Sequence, residues 1–124
     1  MSIENPLSIT ATNTILYCRN WHETVAFYRD ALHLKITMSS HWFVEFQIAG
    51  PAHLSVADER RATIKSCRGS GITLTFRVDS ADEAWNILST RGLSLGPIKN
   101  HAWGARVFYL HDPEGHRLEI WSPI

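Results

Sequence analysis

Thr14-Ile15-Leu16-Tyr17-Cys18-Arg19-Asn20-Trp21-His22-Glu23 and Thr73-Leu74-Thr75-Phe76-Arg77-Val78-Asp79-Ser80-Ala81-Asp82-Glu83 open the two halves of the chain in the same way. In each, a strand-like run leads to a small polar residue, Asn20 or Ser80, with a Glu three positions on. An amphipathic helical pattern comes next: Val25, Phe27, Tyr28 and Leu32 in the first half, and Ala84, Trp85, Ile87 and Leu88, closed by Gly92, in the second. Asn or Ser caps a first helical turn while the Glu reaches back, so the spacing predicts two helix N-termini of one kind. The chain reads as one unit, duplicated.

The residues after each helix strengthen that reading. After the first come Lys35 to Met38, a polar turn at Ser39-Ser40, an aromatic strand from Trp42 to Ile48, a Gly50-Pro51 turn and a strand from His53 to Ala57. After the second, Leu93 to Leu95 meets Gly96-Pro97 and a loop carries His101 and Trp103. Arg106 to Leu110 then reads as a strand, Asp112-Pro113-Glu114-Gly115 as a tight turn, and His116 to Trp121 as the last strand. Each half is β-α-β-β-β, an α+β arrangement. Module one is expected over about 12–58, a basic, solvated connector over about 59–71 and module two over about 72–123, all within one domain spanning 1–124. Residues 1–11 read as a loose or edge-packing arm.

Composition bounds the possibilities. The 124 residues suffice for one substantial core but hardly for two. With 44% hydrophobic and 19% charged residues the chain is not disordered, and no apolar run is long enough for a membrane span. The start of the chain is too polar for a signal peptide. Twelve basic and twelve acidic side chains, with no basic block beyond the connector, argue against a nucleic-acid partner. Cys18 and Cys67 follow no metal spacing, and Cys18 alternates with Leu16 on the expected buried side of its strand. The chain is expected to be cytoplasmic, with reduced thiols.

The run Asn13 to Leu34, containing AFYRDALHL, and the ending GARVFYLHDPEGHRLEIWSP resemble the glyoxalase, bleomycin-resistance and extradiol-dioxygenase superfamily, the vicinal oxygen chelate proteins. The resemblance covers about residues 12 to 123. It implies two tandem βαβββ modules forming a curved mixed sheet with the helices outside, and a ligand in the concave face. In metal-dependent members the ligands stand on the first and last strands of each half. The matching positions here are Asn13, Ser55, Thr73 and Glu119, and only Glu119 carries a metal-binding side chain of ordinary strength. No metal or other cofactor is therefore expected. The alternative is a divalent metal held by Glu119 and His53 with one of His41, His101 or His111, in a lyase, isomerase or dioxygenase.

Strand alternation fills in the cavity face. With Leu118 and Ile120 toward the helices, Arg117, Glu119 and Trp121 face the other way. With Leu74, Phe76 and Val78 inward, Thr73, Thr75 and Arg77 join them, and Asn13, Ile15 and Tyr17 line the first half. Trp42, Trp103 and Trp121 lack the helical explanation that suits Trp85; they either stack on a planar ligand or close a core or subunit interface. Glu119 is a hydrogen-bond acceptor or general base in one reading, and the ion-pair partner of Arg77, Arg106 or Arg117 in the other. No nucleophile with its base has motif support, so no catalytic residue is assigned unless the enzyme alternative holds, in which case it is Glu119. The expectation is a metal-free homodimeric protein of the bleomycin-resistance type, sequestering a planar drug or metabolite in contact with Asn13, Tyr17, Trp42, Thr73, Thr75, Arg77, Trp103, Glu119 and Trp121.

Overall fold

The computed structural model describes residues 6–124. β1 (Thr12–Cys18), α1 (Trp21–Ala26), β2 (Lys35–Ser39), β3 (Phe43–Ala49) and β4 (Ala52–Asp58) form the first module. β5 (Thr73–Arg77), α2 (Ala81–Ser89), β6 (Lys99–His101), β7 (Ala105–His111) and β8 (Arg117–Pro123) repeat the order. The strands make two four-stranded mixed sheets, β1-β4-β3-β2 and β5-β8-β7-β6, so the α+β duplication expected from the sequence is present. β1 runs parallel to β4 and β5 parallel to β8. Of the expected N-terminal arm, residues 1–5 lie outside the described residues and 6–11 are exposed. Among the described residues no helix is long and apolar enough to cross a membrane.

Alternation places the core. Along β8, Leu118, Ile120 and Ser122 are buried while the side chains between them face away. The two apolar members join Leu74, Phe108 and Leu110 with Leu16, Tyr28, Phe46 and Leu54 in one cluster spanning both modules. Cys18 lies fully buried within it. Burial raises its thiol well above the ordinary range, with the nearby Glu114 and Asp112 carboxylates adding to the effect, so it is an inert core residue.

The two helix starts are capped differently. Ser80 accepts from the backbone N–H of Glu83, as the sequence predicts. Asn20 makes no such bond. The carboxylate of Glu114, brought from the far end of the chain, instead accepts from the backbone N–H groups of Arg19 at 2.9 Å and Asn20 at 2.8 Å. α1 is also shorter than its sequence pattern suggests, widening over Phe27–Ala31 into a π-helical turn closed by Leu32 N–H on the Phe27 carbonyl.

Two further expectations need correcting. Leu93 to Leu95 is not a strand. Gly96 accepts the Trp85 indole N–H on its carbonyl and donates to Tyr109 O, while Leu93, Leu95 and Ile98 pack on the core. Pairing with β7 begins only past Pro97, at Lys99. The connector is likewise no free solvated tether, because Ser66 donates its hydroxyl to Glu114 and Gly69 lies against the backbone of Gly115. Both glycines have positive φ, and a Cβ on Gly69 would collide with the Gly115 carbonyl.

The Asp112-Pro113-Glu114-Gly115 turn is thus a buried junction. Asp112 Oδ1 accepts from the backbone N–H groups of Glu114 and His116, both at 2.9 Å. Its Oδ2 accepts the Tyr28 hydroxyl at 2.7 Å and lies 2.8 Å from His116 Nδ1. Burial, then the Asp112 charge and hydrogen bond, hold the Tyr28 phenol well above its usual range. Removing one partner of a buried polar pair strands the other, at about 1–3 kcal/mol. Glu114→Ala is therefore expected to cost about 1–3 kcal/mol in denaturant unfolding, and Asn20→Ala less than about 0.5 kcal/mol. The reverse ranking would return the capping role to Asn20.

Candidate functional site

On the sheet faces turned away from the helices, register gathers the polar and aromatic residues into rows. In the second sheet Thr75, Glu119 and Tyr109 lie side by side, and Arg77, Trp121, Val107 and Lys99 form the next row. Glu119 Oε1 accepts from the Thr75 hydroxyl at 2.8 Å, and Oε2 from the Tyr109 hydroxyl at 3.0 Å. The expected ion pair of Glu119 with an arginine does not form. Arg106 pairs with Asp82, Arg117 donates to the Thr73 hydroxyl at 3.0 Å and lies 4.7 Å over the Tyr109 ring, and Arg77 lies 5.4 Å from the Trp121 ring. A guanidinium stacked on an aromatic face keeps its charge without a carboxylate.

Tyr109 feels both neighbours. Partial burial, then the hydrogen bond and charge of Glu119, raise its phenol above the ordinary value, and Arg117 opposes them. Beside this row Trp103, 59% exposed, meets Trp121 edge to face at 5.5 Å, and His101 approaches Trp103 and Tyr109 at 6.2 and 6.5 Å. Trp121 Nε1 is buried and is the only such side-chain nitrogen or oxygen among the described residues without a hydrogen-bond partner.

The first sheet holds a parallel arrangement with one exchange. Ser55, fully buried, donates to Asn13 Oδ1 at 2.9 Å. Asn13 Nδ2 reaches Glu45 Oε2 at 3.5 Å, and the Thr37 hydroxyl donates to Glu45 Oε1 at 2.7 Å. Glu45 pairs across the strands with Ser55 as Tyr109 pairs with Glu119, so the carboxylate has moved from the last strand to its neighbour. The sequence reading missed Glu45, although the inward run Val44, Phe46 and Ile48 of β3 leaves it outward. Tyr17 is half-buried at the end of β1. Trp42 packs edge to face on Phe43 at 5.5 Å.

The side chains at the positions of a metal site do not suit a divalent cation. Asn13 Oδ1 is occupied by Ser55, Thr73 is bonded by a guanidinium, and Glu119 is committed to two hydroxyls. His53, the partner considered for Glu119, stands in the first sheet opposite Asn13 and Gln47, with Nδ1 3.3 Å from Pro51 O. Among the described residues no three His, Cys, Asp or Glu side chains come together as a metal-holding group. A groove of about 650 Å³, mainly apolar, lies beside the β5 edge, walled by Leu34, Ile48, Phe76, Ile87 and Ile120, and it shares Thr75 and Arg77 with the face just described.

A glyoxalase-like domain model matches residues 11–124, and the chain belongs to that family. No curated protein matches it. Among solved structures, it is similar to a lactoylglutathione lyase from Agrobacterium tumefaciens, with 20% identity, 95% of this chain and 96% of that one covered, and a TM-score of 0.75. An antibiotic binding protein from Streptomyces sp. is 19% identical, with 95% and 99% covered and a TM-score of 0.76. A bleomycin resistance determinant encoded on the transposon Tn5 is 19% identical, with 93% and 98% covered and a TM-score of 0.72. These likenesses establish the glyoxalase and bleomycin-resistance fold.

The Glu119 arrangement has a titration signature. Glu119→Gln removes the charge that helps to raise the Tyr109 phenol, so one of the three tyrosines is expected to ionise at lower pH, read from phenolate absorbance. An unchanged titration curve would contradict the assigned bond.

Proposed function

We propose that the protein is a metal-free small-molecule binding protein that sequesters a planar drug or metabolite on these aromatic-lined sheet faces, and that it works as a homodimer in a reducing, cytoplasmic setting. The observation that carries this reading is the division of labour on the faces. The carboxylates Glu45 and Glu119 are each held by neighbouring hydroxyl or amide donors, while indole surface is left open to solvent. Such a face offers shape, stacking area and fixed polar anchors, which binding requires.

Chemistry by nucleophile and base has little to work with there. The closest His-carboxylate pair, His116 with Asp112, is buried at the module junction and holds Tyr28 rather than a serine or cysteine. Cys18 is buried and its thiolate disfavoured. The similar antibiotic binding and bleomycin resistance structures support a binding role. Asn13, Tyr17 and Trp42 on the first sheet, with Thr73, Thr75, Arg77, Trp103, Glu119 and Trp121 on the second, are the proposed contacts.

Dimerisation is supported by the sheet edges. β1 and β5 each end a sheet with one side unpaired, and the apolar groove beside β5 leaves Ile87 52% exposed. A second copy covers such an edge and groove together. Light scattering is expected to give twice the mass of 14.1 kDa, and a strict monomer at high concentration would defeat this part.

A thermal-shift screen against planar antibiotics and metabolites tests the function. A ligand that binds only the folded state, at roughly one hundred times its Kd, stabilises by about 2.7 kcal/mol, giving a readable rise in Tm. Protein purified without chelators is expected to carry no stoichiometric divalent metal. Near-stoichiometric zinc, nickel, manganese or iron that disappears in Glu119→Ala would overturn the metal-free reading.

A further inference from the structure

We propose that the second sheet is built for a planar aromatic anion, whose ring lies against Trp103 and Trp121 and whose carboxylate is met by Arg77. The inference rests on the binding function above and names the class of molecule bound. Its first support is an inventory of charge. Arg19, Arg29, Arg60 and Arg106 have carboxylates within ion-pair distance, whereas Arg61, Arg68, Arg77, Arg91 and Arg117 have none among the described residues, and of these five only Arg77 and Arg117 stand on strands of the second sheet. Lys99 closes the same cross-strand row that begins with Arg77 and Trp121. The face therefore presents Arg77, Arg117 and Lys99 against Glu119 alone.

Geometry selects Arg77 as the anchor. Its guanidinium lies over the Trp121 ring, an arrangement that leaves the N–H edge free for a planar, two-oxygen acceptor. Arg117 already donates to Thr73 and stands four residues away along the strands, about 13 Å, too far for one carboxylate to reach both. A ring attached to a carboxylate at Arg77 meets the Trp121 and Trp103 pair directly.

The unpartnered indole nitrogen is the independent observation. A buried donor without an acceptor is uncommon and carries a cost, and Trp121 Nε1 is in that condition beside the exposed ring of Trp103. Because that nitrogen is buried, an acceptor oxygen reaches it only as a covering side chain moves aside; an anionic ligand then brings the acceptor, whereas a cationic ligand brings only donors to a place already rich in them. The sheet thereby discriminates by sign of charge as well as by flatness.

The test uses the full chain and three probes of one shape: 2-naphthoate, its neutral carboxamide, and 2-naphthylmethylammonium, titrated calorimetrically. Naphthoate is expected to bind at least about tenfold more tightly than either other probe, the yield of one charge-assisted contact. Arg77→Gln brings naphthoate to the level of the carboxamide, and Trp103→Ala weakens all three. Trp121→Phe, which keeps an aromatic ring of smaller area and removes the N–H, weakens all three probes somewhat but naphthoate more than the ammonium probe. Arg77 and Trp103 are exposed, so circular dichroism of their variants is expected to match that of the parent. Equal affinity for the three probes would overturn the anion assignment while leaving planar binding intact. No binding of any probe at millimolar concentration would overturn both.

Discussion

The buried carboxylate of Asp112 is the constraint on which the arrangement of the two modules depends. A carboxylate removed from water is tolerated only when its lone pairs are taken up, and here two backbone N–H groups, a phenol and an imidazole do so. The phenol belongs to Tyr28 of the first module, the other donors to the turn before β8. One bond thus ties the first helix to the last hairpin. Glu114, two residues on, extends the tie by capping the start of α1 and receiving the Ser66 hydroxyl from the connector. With the helix-facing sides locked together in this way, the opposite face of each sheet is left free for a ligand.

Duplication supplies the two faces, but they are not copies. Both place one carboxylate in a cross-strand pair, Glu45 with Ser55 in the first sheet and Glu119 with Tyr109 in the second. The surroundings then diverge. The first face surrounds its glutamate with an amide and a small hydroxyl, whereas the second adds two stacked guanidiniums and the Trp103 and Trp121 pair. Weak cation ligands and stacked aromatic and guanidinium groups go together on the second sheet.

Signals carried by neighbouring residues are legible in the sequence alone. The repeated strand, helix-start and helix pattern pointed to the α+β duplication, and period-two alternation in β5 and β8 placed Thr75, Arg77, Glu119 and Trp121 on one face. The features that escaped depend on distant contacts. Asp112-Pro113-Glu114-Gly115 and His116 have the composition of a solvated turn, and only docking against α1 and the connector buries Asp112, Glu114 and His116. Asn20 looks like a cap because Glu114, 94 positions away, leaves no trace in the local sequence. Leu93 to Leu95 has strand composition but spends it on core packing. Glu119 has arginines on the adjoining strands, yet two hydroxyls reach it first.

The five tryptophans provide the most direct measurement of where a ligand sits. Trp21 and Trp85 donate their indole N–H groups to the carbonyls of Val56 and Gly96 on the helix side, whereas Trp103 and Trp121 meet on the open face of the second sheet. Indole N–H resonances followed by NMR during titration with 2-naphthoate separate the two locations. The expected result is movement of the Trp103 and Trp121 signals with those of Trp21 and Trp85 unchanged. Movement of the Trp21 or Trp85 signals alone would put the ligand beneath the helices and contradict the account.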